Sequence, residues 1–151
     1  MNSFETLVKL LGDAIGCSFT PDEHGVYEVS VQGRILLIYC QEPEGLVLSF
    51  GVVMQLEEPL QNDILRHALA LSLFGQGTQG FSLGLFGNAL LLSNVATLEA
   101  LTIEVFVEQL YLLSRQIESV RQALTTARVS SADEPYCLSD AMPPLTRSLR
   151  I

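Results

Sequence analysis

A chain of 151 residues with 48% hydrophobic and 17% charged side chains and a mean hydropathy of +0.35 has room for one domain with its own core. Its net charge of −9 is gathered at the front, where ten acids in residues 1–63 face only Lys9 and Arg34. That balance repels phosphate backbones and anionic lipid, which argues against nucleic acid as a partner, and no apolar run approaches the roughly 18–20 residues of a membrane-inserted helix.

Phe4, Leu7, Val8, Leu11 and Ile15 recur at helical spacing between a Ser3 cap and a Gly16 stop, predicting a first helix. Glu5, Lys9 and Asp13 interrupt its apolar pattern, so it is not expected to act as a secretory signal. "TPDEHG" forms a turn, and "VYEVSVQ" alternates as a half-buried strand does. Gly33 leads into "RILLIYCQ", apolar on both faces, and "EPEG" leads into "LVLSFGVV"; tight turns join the three strands as an antiparallel meander. Pro59 opens a second helix running to about Phe74, with more apolar residues than one buried face requires. Gly87-Asn88 then joins "FSLGLF" to "ALLLSN" as a hairpin. Ile103, Phe106, Leu110, Leu113, Ile117, Val120 and Leu124 step by threes and fours, the seam of a long closing helix laid across a sheet. From Val129 the periodicity is lost. The expectation is an α+β domain over residues 1–128 with one antiparallel sheet and the order α-β-β-β-α-β-β-α, followed by a flexible C-terminal tail over 129–151.

Chemistry-bearing motifs are sparse. Gly75, Gly77 and Gly80 have the spacing G-x-G-x-x-G, but a dinucleotide turn must follow a strand and open a helix. Here the glycines follow a helix, whose C-terminal carbonyls repel phosphate, and precede a strand. They are better suited to a structural turn, with Gly75 as helix C-cap and Gly77 and Gly80 at positive φ. His24 sits in a turn, and His67 has Asp63 four residues before it; neither has a partner at metal-ligand spacing. Cys17, Cys40 and Cys137 form no CxxC pair and suit a reducing compartment, with Cys40 packed as a small hydrophobe. No enzyme, cofactor or metal site is expected.

The combination of "EGLVLSFGVV", "FGQGTQGFSLGLFGNALLLS" and a long closing helix resembles class I type III secretion chaperones, the Tir-chaperone-like family. The resemblance covers residues 3–125. It is carried by a G-x-G-T-x-G turn (Gly75, Gly77, Thr78, Gly80), an "LGL" strand (Leu83, Gly84, Leu85) and a second strand with Leu90, Leu92 and Ser93. It implies a cytoplasmic homodimer, a virulence factor that binds the N-terminal chaperone-binding segment of a secreted effector and keeps it extended for export. The secretion ATPase or sorting apparatus is a further implied partner. The chain's surplus apolar surface suits such a client. Candidate effector grooves are Phe4, Leu7 and Leu11 of the first helix and Ile35, Leu37, Leu46 and Leu48 of the meander, positions that suit ordinary core equally well. The resemblance puts the dimer contact on the second helix, at Leu65, Ala68, Leu69 and Ser72; the small Ala68 and Ser72 allow close helix approach. A dimeric scaffold or regulatory adaptor for a folded partner, using Arg147 and Arg150 of the tail, is the competing expectation.

Overall fold

The computed structural model describes residues 3–57 and 61–130. Helix α1 (Phe4–Ile15) starts where the Ser3 hydroxyl accepts the Thr6 N–H at 3.2 Å and stops at left-handed Gly16. Strands β1 (Tyr27–Val31), β2 (Arg34–Gln41) and β3 (Leu46–Gln55) follow, then helix α2 (Gln61–Ser72) with a short 3₁₀ turn at Leu73–Gly75. Strands β4 (Ser82–Phe86) and β5 (Ala89–Thr97) form the hairpin around Gly87-Asn88, and helix α3 (Ile103–Ser130) closes the fold. The element order is the expected one, and the five strands make one antiparallel sheet in the order β1-β2-β3-β5-β4. α3 extends two residues beyond the expected end of the domain. Pro59 and residues 131–151, where most of the expected tail falls, lie outside the described residues.

The seam of α3 holds the fold together. Phe106, Leu110, Leu113, Ile117, Val120 and Leu124 are all buried against the sheet; Ile103, at the helix start, is half-buried. One core gathers these with Leu7, Val8 and Leu11 of α1, Ile64 and Ala68 of α2, and alternate strand residues: Val29, Val31, Leu36, Ile38, Val47, Val53, Leu90 and Leu92. Gly51 of β3 lets α3 sit close, because a Cβ there would lie 2.5 Å from Ile117 Cδ1 and 2.9 Å from Leu36 Cδ2.

Polar ties fix how α3 crosses the strands. The buried Ser114 hydroxyl donates to the Val31 carbonyl at 3.2 Å, and Arg34 donates to the Ser114 carbonyl at 2.6 Å and to Glu118 at 2.5 Å. Arg121 donates to the carbonyls of Val53 (2.6 Å) and Val52 (3.3 Å) and to Glu118 (3.4 Å). These bonds satisfy backbone acceptors beside the bulge that the β3–β5 pairing carries between Val52 and Met54.

The glycine turn differs from expectation at one position. Gly75 (φ 68°) and Gly80 (φ 88°) are left-handed, but Gly77 is not among the positive-φ residues. Gly77 is required by proximity: a Cβ would lie 2.6 Å from the Leu71 carbonyl oxygen and 2.9 Å from Leu71 Cα. The left-handed positions beside the glycines are Phe74 (φ 55°) and Gln79 (φ 52°). Thr78 is fully buried and donates to the Phe81 carbonyl at 2.6 Å, closing the turn from inside.

Candidate binding surfaces

Because successive strand side chains point to opposite faces, burying one alternate set under the helices leaves the other set open. The open set is apolar. Leu37 stands opposite Phe50, Tyr39 opposite Leu48 and Gln41 opposite Leu46; on the far side of β3, Leu48 stands opposite Val95 and Val52 opposite Leu91. Ile35, 55% exposed, and Val52 mark one end of this face. Leu37, Tyr39, Leu46, Leu48, Phe50 and Leu91 are half-buried by their neighbours in the sheet, and none of them packs against the core. On β4, Gly84 stands opposite Leu91 and offers no side chain to cover it.

Acids rim this face. Glu28 of β1 is paired with Leu37 and exposed, and exposed Glu42 and Glu44 occupy the β2–β3 turn at the end opposite Ile35 and Val52. The Asp22 carboxylate accepts the N–H groups of Val26 (2.9 Å) and His24 (2.8 Å). Those bonds, Val26's first, hold its pKa below the ordinary carboxylate value and lock the turn into β1. His67 Nδ1 lies 2.9 Å from the Asp63 carbonyl oxygen, so this contact with Asp63 is to backbone.

A second apolar surface lies around α2, which packs on α3 and β4. Leu69 is 73% exposed and Phe74 71%, with Leu73 and Leu85 also open; Phe86, two residues from Gly84 on β4 and 78% exposed, belongs by alternation to the open sheet face instead. The expected dimer residues divide here: Leu69 faces out, Leu65 and Ser72 are half-buried, and Ala68 is buried in the core. The Ser72 hydroxyl donates to the Ala68 carbonyl at 2.9 Å within its own helix.

The expected effector positions divide too. Ile35, Leu37, Leu46 and Leu48 share the open face, whereas Phe4, Leu7 and Leu11 are closed into the core under the helices, because α1 turns that stripe toward α3 and β1. Phe4 stacks edge-on against Tyr27 with ring centroids 5.6 Å apart. Tyr39, Phe50, Val52, Phe86, Leu91 and Val95 complete the open face, and Leu73, Phe74 and Leu85 complete the α2 surface. The sequence carried a signal for some of these, since Phe74 and Phe86 are large apolar residues immediately before turn glycines.

A sheet closed by helices on one side and left apolar on the other is a surface suited to binding. The chain belongs to the Tir chaperone protein (CesT) family, whose pattern residues 6–121 match. No curated protein matches in sequence. Among solved structures, a chain of the HopA1–SchA chaperone–effector complex is 17% identical with a TM-score of 0.63, the match covering 79% of this chain and 93% of that one. A chain of the ExsC–ExsE complex is 18% identical with a TM-score of 0.58, covering 78% and 90%. An uncharacterized protein from Methanothermobacter thermautotrophicus is 14% identical with a TM-score of 0.59, covering 81% and 96%. At these identities the likeness is one of fold. Among the described residues, no helix is long and apolar enough to cross a membrane.

Proposed function

We propose that this chain is a cytoplasmic chaperone that binds the extended N-terminal chaperone-binding segment of an effector on the open face of its sheet and keeps it ready for export. The observation that carries this is the uncovered apolar row across β2, β3 and β5, with Leu37, Leu48 and Phe50 at its centre and Ile35 at one end. An unfolded segment that lays apolar side chains there gains about 1.5–3 kcal/mol for each one fully buried, which offsets its ordering cost. The acids at the rim favour a segment that interleaves basic residues with apolar ones.

The chaperone acts as a homodimer joined through the α2 surface around Leu69, Leu73 and Phe74, and delivers its client to the secretion ATPase or sorting apparatus. The test is co-expression with the N-terminal segments of secreted proteins from the same genome. A stable complex is expected with the unmodified chain and loss of it with Leu48→Asp, at unchanged thermal stability. A complex undiminished by Leu48→Asp would remove the open face from the mechanism.

A further inference from the structure

We infer that the polar recess between the β1–β2 turn and α3 is a docking site for an acidic peptide segment, held through the carboxylates of its Asp and Glu side chains. The recess lies on the helix-bearing side of the sheet, away from the open face, and neither the inference nor its test depends on the function proposed above.

In a chain that is 48% hydrophobic, no apolar residue lines this recess, whose volume is about 430 Å³. An apolar partner laid there would leave polar groups without acceptors or donors, so the ligand must itself form hydrogen bonds. The charges of the lining decide its sign. Glu118 is the one acid, and both of its carboxylate oxygens are engaged: Oε2 accepts from Arg34 and Arg121, and Oε1 accepts from Gln122 at 3.2 Å. Arg34 is anchored by its bond to the Ser114 carbonyl and has only 21% of its side chain exposed. The rest of its guanidinium N–H groups have no acceptor among the described residues.

Arg115 is the group left over. Its neighbours three and four residues away on α3 are Tyr111, Leu112, Glu118 and Ser119, and the only acid among them is already taken. Two arginines therefore turn unused donors toward one recess, and Arg121 beside it makes three guanidinium groups against a single carboxylate. Guanidinium forks match carboxylates in charge and geometry. The Ser119 hydroxyl and the Gln32 amide, neither bonded among the described residues, add neutral donors. Gln32 is held at φ 52° in the turn, where glycine, asparagine or aspartate is the usual choice. The acids that would oppose such a ligand stand elsewhere: Glu42 and Glu44 at the other end of the sheet, Glu28 on its other face. The volume is many times the roughly 30 Å³ share of one water, so a lone small anion fills little of it, whereas successive acidic side chains of one peptide reach both arginines.

The experiment uses the full chain with nitrogen-15 in its arginines and follows the guanidinium Nε–H signals as capped hexaglutamate is added, at mildly acidic pH where its carboxylates remain ionised. Saturable shifts are expected at Arg34 and Arg115, and none at Arg66, an exposed arginine of α2 outside the recess. Capped hexaglutamine is expected to move neither, and inorganic phosphate to bind more weakly than hexaglutamate. Arg115→Gln changes an exposed position, so the thermal midpoint is retained while hexaglutamate affinity falls about tenfold. Glu118→Gln, which frees the other two arginines, strengthens binding. Absence of saturable shifts at Arg34 and Arg115, equal shifts at Arg66, phosphate binding as tight as hexaglutamate, or undiminished affinity in Arg115→Gln would each overturn the inference.

Discussion

A Cβ at Gly77 would meet the backbone carbonyl oxygen and Cα of Leu71 as well as its side-chain Cδ2; the side chain could move but the backbone atoms could not, so the turn itself would have to shift. Gly77→Ala is expected to lower stability by about 1–3 kcal/mol, seen as a lower urea midpoint. Gly84→Ala, with nothing within 4 Å of the added carbon, leaves the midpoint unchanged. Glycine spacing announces an irregular turn, but positive φ and close approach both exclude a Cβ, so the sequence does not separate Gly77 from Gly75 and Gly80. Cys40 was more legible, since a cysteine inside "RILLIYCQ" is surrounded by apolar neighbours. Burial, and secondarily the nearby Glu42 charge, pushes its thiol pKa up, disfavouring the reactive thiolate. In a Cys137→Ser chain, a thiol reagent at mildly alkaline pH is expected to modify exposed Cys17 well before Cys40.

At the scale of elements, α3 supplies the largest buried stripe, and its period is plain in the sequence because one face of a long helix repeats without interruption. Leu113→Ala, which empties a fully buried site, is expected to cost about 2–5 kcal/mol in chemical denaturation. Glu118→Gln should cost less than about 1 kcal/mol, because the carboxylate joining Arg34 and Arg121 is partly solvated and its attraction screened. β3 was less legible. "LVLSFGVVM" is apolar at both alternate sets, so period two identifies a strand without telling which face α3 covers. Gly51 settles that, since only the face carrying it admits Ile117 so closely. α1 posed the same ambiguity: Phe4, Leu7 and Leu11 form a stripe fit for a groove or a core, and packing against α3 makes it core.

For the whole molecule, two apolar surfaces remain after the core is complete, and each has a separate task in the proposed mechanism. Leu69→Asp places a charge where the side chain is already exposed, so the protomer should keep its fold while the dimer dissociates in light scattering. A dimer unaffected by Leu69→Asp would move the interface away from α2. Composition hinted at surplus apolar surface, but its location depends on long-range packing that no local pattern encodes.

The most direct test of effector capture is isothermal titration of the N-terminal segment of a co-purifying secreted protein into the unmodified chain and into Ile35→Asp with Leu48→Asp. The mechanism predicts tight binding with a negative heat-capacity change for the first, and its loss for the second with the thermal midpoint retained. Equal affinity for both chains would contradict it.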